Sequence, residues 1–246
     1  YQDLFDSLVY PQTNQLVADA RSAGLNFESY SALNMLNARY ITYGPAADNV
    51  IPNPAANGSA WFVGELKVVQ SPSAELSSLK ELNTRTTAVI DGSKFNVSPW
   101  TGALDSLSYI KLISSTQDKL EYEATSASRN FAVFSEIYYP HGWKVLVDGK
   151  AQEMLRVNYI LRGLWIEPGK HNISFEFRPA AYYTGDKLTA GFNALLILFF
   201  VRCFRCHLAF ISVSTCLFSS SMCVLSAISL LRSLFIRFIA SPALNS

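Results

Sequence analysis

The chain has 246 residues, half of them apolar, with a formal net charge of +1. That length suits one large domain or two small ones with a sizeable core, and the small net charge argues against nucleic acid as a partner. Charge is uneven, because residues 188–246 hold four Arg and no Asp or Glu, which leaves residues 1–187 at −3. All four cysteines lie beyond residue 202, so packing alone must hold the earlier residues.

The first hundred residues predict a small α+β layer. Thr13 suits the N-cap of a first helix, a second helix is predicted over 30–36, and Ser71-Pro72 is typical of the start of a third. The predicted strands are residues 39–43, 60–69 and 86–90. The chain opens with neither an initiator Met nor a signal peptide, and we expect a fragment whose N-terminal portion is missing.

The middle of the chain predicts an antiparallel β-sandwich over about residues 105–178. Asp148-Gly149 between apolar runs indicates a two-residue hairpin turn, and Pro168-Gly169 indicates a type II turn. Apolar and polar residues alternate over 172–178, the pattern of a half-buried strand. The predicted strands are residues 107–113, 119–124, 131–138, 143–147, 151–155, 158–166 and 171–178.

The tail predicts a membrane anchor over residues 188–246. Residues 188–201 are apolar and unionised, and Arg202 and Arg205 follow them, so one span is expected over 188–208. Ser and Thr dilute the apolar stretch 208–231, which is a weaker candidate for a second span. A buried helix of the soluble part is the alternative for the first stretch.

Few residues in the sequence indicate a catalytic or binding site. Tyr138, Tyr139, His141 and Trp143 could contact a glycan, because aromatic faces with polar edges suit sugar rings. Tyr159 and Trp165 belong to the same predicted aromatic cluster. Aromatic residues at this spacing also commonly fill a sandwich core, and a Pro-His-Gly turn explains His141 without a site. The Cys-x-x-Cys-His sequence at 203–207 matches haem c attachment but sits at the predicted membrane boundary. We predict no catalytic residue, cofactor or metal site in this chain.

Six strings in the first 187 residues form a recognisable set: YQDLF at 1–5, LNMLNARYI at 33–41, NPAANGSAWFV at 53–63, FSEIYYPHGW at 134–143, DGK at 148–150 and RVNYILR at 156–162. Together these strings resemble the YfhO-type bacterial membrane proteins. The tail departs from the family pattern after about Val201, where the resemblance implies one anchor and a short cytoplasmic end. A second span and an out-of-frame extension both remain open for that segment.

The resemblance implies a polytopic protein of the bacterial inner (cytoplasmic) membrane, similar to GT-C glycosyltransferases that take sugars from lipid-linked donors. Residues 1–187 are then an extracytoplasmic C-terminal region, divided into an α+β part (1–104) and a sandwich (105–187). The acidic catalytic residues of such enzymes lie in earlier loops, so none is carried over and the fragment itself is expected to be inactive. The expected partners are the lipid bilayer and a lipid-linked sugar or cell-envelope glycan. The alternative is a non-enzymatic envelope module that binds glycan or a partner protein.

Overall fold

The computed structural model describes residues 1–22, 24–46, 48–103, 107–213 and 228–233. The chain divides into two compact units, Tyr1–Tyr183 and Thr184–Ser246. The predicted boundary between residues 104 and 105 lies outside the described residues, as does most of the weaker candidate span 208–231.

The first unit opens with helices and short strands. In chain order these are α1 (Gln2–Leu4), a π-helical turn (Phe5–Val9), α2 (Tyr10–Arg21), a 3₁₀ turn (Phe27–Ser29), α3 (Ser31–Met35), β1 (Tyr40–Thr42), β2 (Val50–Pro52), β3 (Ala60–Val63), β4 (Glu65–Val69), α4 (Pro72–Ser78), β5 (Thr87–Asp91) and β6 (Trp100–Thr101). The strand-rich part follows with β7 (Tyr109–Ser115), β8 (Lys119–Ser126), β9 (Asn130–Ile137), β10 (Trp143–Val147), β11 (Lys150–Gln152), β12 (Leu155–Val157), β13 (Leu161–Ile166) and β14 (Gly169–Phe177). A long helix, α5 (Ala180–Val213), continues into the second unit.

Two antiparallel sheets form the predicted sandwich. One has five strands in the order β11-β10-β14-β8-β7, and the other has four in the order β12-β13-β9-β3. Between them lies a fully buried cluster that includes Tyr122, Phe134 and Phe175, whose rings meet edge to face at 5.0–5.9 Å. The predicted fold class, mainly β with a small α+β layer and a C-terminal apolar helix, is confirmed.

The four-stranded sheet is covered on both faces. Its second face packs against a larger apolar cluster formed with the N-terminal helices, α4 and the three-stranded sheet β5-β4-β6. The central strand β9 is therefore apolar at successive positions, with Phe131, Ala132, Val133 and Phe134 all fully buried. Burial of each large side chain contributes roughly 1.5–3 kcal/mol, which makes β9 the centre of the unit.

Three predicted strands are each broken in the structure, and one of them, residues 151–155, divides between β11 and β12 of the two different sheets. Residues 60–69 divide at Gly64, so that β3 joins the sandwich while β4 pairs in parallel with β5. The sandwich thus takes a strand from outside its predicted bounds of 105–178. Residues 158–166 also divide, because Asn158 and Tyr159 have positive φ values of 48° and 70° and form a loop before β13.

The first helix begins earlier than predicted. Thr13 is not its N-cap, because the helical segment already starts at Gln2 and Thr13 donates its hydroxyl to the carbonyl of Val9. Pro11 lacks an N–H, and the π-helical turn just before it accommodates the missing hydrogen bond. By contrast, the Ser71 cap is confirmed, since its hydroxyl accepts the N–H of Ala74 at 3.2 Å.

The predicted Asp148-Gly149 turn is confirmed. Val147 pairs with Lys150, which leaves a two-residue loop between β10 and β11. Asp148 and Gly149 have φ values of 51° and 77°, the positive values that this tight hairpin turn requires.

Helix α5 provides the apolar element predicted for the tail. Among the described residues, one stretch, Ala180–Phe204, has the length and hydropathy of a membrane span, with a mean hydropathy of 1.6 and none of it buried. Its 25 residues extend about 37 Å at 1.5 Å per residue, more than the hydrocarbon core of a bilayer.

Candidate functional site

The predicted glycan-contact residues lie at the end of β9 and the start of β10. Tyr138 and Trp143 together line a groove of about 260 Å³ that also includes Lys144 and Gln152. Tyr139 and His141 are exposed, do not line this groove, and pair with each other edge to face at 5.5 Å. The structure therefore groups the four predicted residues as two adjacent pairs.

Trp143 is already engaged on one face by a buried arginine. The Arg162 guanidinium lies 4.3 Å from the Trp143 ring centroid and 5.1 Å from that of Phe175. Its Nε donates to the carbonyl of Ile137 at 3.0 Å, and burial lowers the pKa of this guanidinium. Burial also raises the pKa of the nearby Glu136 carboxyl, and Arg162 opposes that rise. Arg162 thus fixes the orientation of Trp143 at the groove.

A second and larger cavity lies on the other side of Tyr138. This cavity, here named the Arg156 pocket, measures about 470 Å³ and is lined by Tyr1, Lys94, Phe95, Ile137, Tyr138, Arg156, Tyr159 and Ile160. Phe95 meets the Tyr138 ring edge to face at 6.2 Å. Two cations, three tyrosines and no carboxylate line it, a combination that binds small ligands through a few polar groups on apolar walls.

Behind the Arg156 pocket lies a buried charged cluster. Arg156 donates from Nη2 to Oε2 of Glu75 at 2.8 Å and lies 3.8 Å from Oδ2 of Asp91, and both carboxylates have 0% exposed side chains. Burial raises the pKa of Glu75 to about 6, against the N–H of Tyr159 and the charge of Arg156, which lower it. The Nε atom of Arg156 and Oδ2 of Asp91 have no hydrogen-bond partner.

Local structure brings both cations to the pocket. Arg156 lies in β12 between Leu155 and Val157, two side chains that pack in the core. Lys94 lies in the turn after β5, where Oδ1 of Asp91 accepts both the N–H and the hydroxyl of Ser93. Asp91 therefore shapes the turn that carries Lys94 and also lies beside Arg156.

The loop after β12 supplies the tyrosine wall. Tyr159 donates its N–H to Oε1 of Glu75 at 2.9 Å and its hydroxyl to Oδ2 of Asp3 at 2.8 Å. Its ring centroid lies 5.5 Å from the Arg156 guanidinium. Sequence reasoning considered Tyr159 only as part of an aromatic cluster, and missed Lys94 and Arg156 altogether, because nothing local links residues 75, 91 and 156.

Trp165, by contrast, has a packing role. Trp165 contacts Phe131 at 4.9 Å and Trp100 at 5.4 Å, each edge to face, at the edge of the larger apolar cluster. The core interpretation of the aromatic cluster therefore holds for Trp165, whereas Tyr138 and Tyr159 face cavities.

Residues 94–189 match the family model described as bacterial membrane protein YfhO. The predicted resemblance to YfhO is confirmed. The matched region extends from Lys94 into α5 and includes Arg156, Tyr159 and all four predicted contact residues. No curated protein and no solved structure matches the chain.

The YfhO match and the apolar helix α5 together support a membrane location and association with a lipid bilayer. The YfhO region ends at residue 189, within the first turns of α5, so the matched β-strands and the helix are continuous in sequence.

Candidate metal and haem ligands can be located in the part of the chain that the structure describes. No group of three or more His, Cys, Asp or Glu side chains among those residues could hold a metal ion. The Cys-x-x-Cys-His sequence lies within helix α5, where Cys203 is exposed and forms no disulfide.

Proposed function

We propose that residues 1–187 are the extracytoplasmic C-terminal region of a membrane glycosyltransferase of the GT-C type, which takes sugars from a lipid-linked donor. The single observation that carries the proposal is the YfhO match over residues 94–189, which joins a sandwich domain to an apolar helix. In this role the domain positions a cell-envelope acceptor over a catalytic part that the chain does not contain.

The charges around α5 favour this orientation. Asp186 and Lys187 precede the apolar stretch, whereas Arg202 and Arg205 follow it. Cytoplasmic flanks of membrane helices are enriched in Lys and Arg, so the arginines support a cytoplasmic end at residue 202, with residues 1–187 on the outer side. We assign the span to 188–208, with the sandwich and the α+β part as neighbouring regions of one extracytoplasmic unit.

The acceptor contact is assigned to Tyr138, Tyr139, His141 and Trp143. Tyr139 is 49% exposed and His141 is exposed beside it, so their edges are free to meet a sugar. Trp143 is half-buried and is held in place by Arg162, which gives a rigid aromatic surface at the adjoining groove. Rigid aromatic faces bind sugars at low entropic cost.

A sugar-transfer assay on the full-length parent protein in membranes tests the proposal. We expect sugar transfer from a lipid-linked donor. We expect Tyr139→Ala to weaken acceptor binding, so that a higher acceptor concentration is needed to reach half of the maximal transfer rate. Tyr109→Ala is the matched control, because Tyr109 is similarly exposed, at 45%, on the five-stranded sheet. A parent protein that binds glycan without transferring sugar would contradict the enzyme assignment and favour the non-enzymatic envelope module.

A further inference from the structure

We propose that the Arg156 pocket binds a sugar-sized ligand through one singly charged oxyanion, held between Lys94 and Arg156. This inference deepens the proposed function by naming an acidic saccharide as the ligand class. It concerns residues other than the predicted contacts, apart from Tyr138, which lines both cavities.

The distribution of charge supports an anion. Every charged residue that lines the pocket is cationic, whereas Glu75 and Asp91 lie behind Arg156 with fully buried side chains. An incoming anion therefore meets Lys94 and the accessible part of Arg156, which keeps 17% of its side chain exposed. The buried acids hold the guanidinium in place without competing for its open face.

Arg156 has hydrogen-bond donors that its protein partners do not use. A guanidinium carries five N–H donors, and its Nη2 bond to Glu75 uses one direction only. Its Nε has no partner, an uncommon condition for a buried donor and one that a bound oxyanion could relieve through a small side-chain shift. Charge-assisted bonds of this kind are about twice as strong as neutral ones.

The size and the walls of the pocket indicate what the ligand carries besides its oxyanion. A volume of about 470 Å³ lies within the range of small-ligand sites, roughly 300–1,000 Å³. Phe95, Tyr138 and Tyr159 provide aromatic walls, and the tyrosine hydroxyls provide polar edges. These features suit a ring with an apolar face and hydroxyl groups, which is the chemistry of a sugar.

The carboxylates around the pocket limit the ligand to a single negative charge. Lys94 and Arg156 are offset by Glu75 and Asp91, and the exposed Asp3 adds a further negative charge at the Tyr159 hydroxyl. A dianion would meet more repulsion than a monoanion at such a site. Protonation of Glu75 makes the cluster one unit more positive, so binding of the oxyanion tightens as the pH falls.

Isothermal titration of the full chain in detergent, with D-glucuronate and glucose as probes, tests the site. We expect glucuronate to bind about tenfold more tightly than glucose, the scale of one charge-assisted hydrogen bond. Lys94→Gln should remove most of that preference, whereas Lys150→Gln, at the exposed hairpin tip, should leave it unchanged. Equal binding of the two sugars, or equal behaviour of the two lysine variants, overturns the proposal.

Two further arms make the test specific. Glu75→Gln keeps an acceptor for the N–H of Tyr159 but removes the buried titrating group, so glucuronate binding should lose its pH dependence. An unchanged pH profile in this variant overturns the role of the buried cluster. Dimethyl phosphate is a second anionic probe that lacks a sugar ring, and it should bind more weakly than glucuronate; tighter binding of dimethyl phosphate would overturn the saccharide as the ligand class.

The result is separable from that of the sugar-transfer assay. If glucuronate binds as expected while the parent protein transfers no sugar, the pocket stands and the glycosyltransferase assignment falls. If the parent protein transfers sugar while the pocket binds no anion, the glycosyltransferase assignment stands and the pocket proposal falls.

Discussion

Asn158 brackets Val89 with two hydrogen bonds. Its N–H donates to the carbonyl of Val89 at 2.8 Å, and its Oδ1 accepts the N–H of Val89 at 2.9 Å. These bonds join the loop after β12 to β5 and so connect the sandwich to the α+β layer. They also fix the residue next to Tyr159, whose ring forms one wall of the Arg156 pocket.

Removal of the Asn158 side chain should destabilise this connection strongly. Asn158→Ala leaves the buried N–H of Val89 without a partner. It also places Ala, whose side chain has a Cβ but no polar group, at a φ of 48°. We expect the free energy of unfolding to fall by about 2–4 kcal/mol. Asn158→Gly is the matched control, because it loses the same bond without the backbone strain, and it should cost about 1 kcal/mol less. Equal unfolding midpoints for wild type and both variants in urea would refute this role.

Glu75 should make stability depend on pH in a defined direction. Its folded pKa of about 6 exceeds its ordinary value of 4.5, so the folded state binds the proton more tightly than the unfolded state. This contribution to stability is full below pH 4.5 and is lost as the pH rises through 6, by on the order of 2 kcal/mol. Urea unfolding across pH 4–8 should show this fall in wild type and not in Glu75→Gln, in addition to the pH dependence that other groups give to both proteins. The exposed Glu153→Gln variant is the control, and a Glu75→Gln variant that keeps the full pH dependence contradicts the prediction.

The turn at Asp148 carries a second, exposed titrating pair. Nδ1 of His171 lies 2.7 Å from Oδ2 of Asp148, and this contact raises the pKa of His171. The N–H of Asn172 and the His171 contact lower the pKa of Asp148. The stabilisation by His171 is therefore lost as the pH rises through its folded pKa, and that by Asp148 is lost as the pH falls through its own.

Asp148→Asn tests this pair by NMR titration. Asn tolerates the positive φ of this turn, so the hairpin should persist. The pKa of His171 should fall back toward its ordinary value of 6.5. Asp48→Asn, on an exposed loop, is the control, and a His171 titration unaffected by Asp148→Asn would show that the contact is absent in solution.

Local signals predicted the parts of the fold that short segments determine. Asp148-Gly149 supplies two positive φ values without strain, and Ser71-Pro72 caps and starts a helix, whatever lies elsewhere. The break at Gly64 depends instead on tertiary structure, because residues 60–63 pair with β9 in one sheet and residues 65–69 pair with β5 in another. The Asn158-Tyr159 loop lies in an apolar run without Gly or Pro, and its conformation depends on hydrogen bonds to Val89 and Glu75.

The candidate site was harder to predict than the fold. The predicted aromatic residues were found from their spacing within one segment of the chain. Glu75 and Arg156 are 81 residues apart, and neither has a sequence motif that indicates the other. A buried ion pair of this kind depends on packing that brings α4, β5 and β12 together, and a single sequence does not reveal that packing.

Helix α5 should hold the chain in the bilayer. An unionised apolar stretch of this length favours insertion by a few tenths of a kcal/mol for each large apolar residue at the helix centre. We expect the full chain to stay in the membrane pellet after carbonate extraction, whereas residues 1–187 alone should appear in the supernatant. Recovery of the full chain as a folded monomer in the aqueous fraction would exclude the anchor.

Labelling of a single cysteine measures directly on which side of the cytoplasmic membrane the sandwich domain lies, and we propose that it lies outside. Lys150→Cys places a thiol at the exposed hairpin tip, in a background with Cys203, Cys206, Cys216 and Cys223 replaced by Ser. A membrane-impermeant maleimide is applied to spheroplasts with an intact cytoplasmic membrane. We expect full labelling of this cysteine without lysis, whereas labelling that occurs only after the membrane is broken would show that the domain lies on the cytoplasmic side.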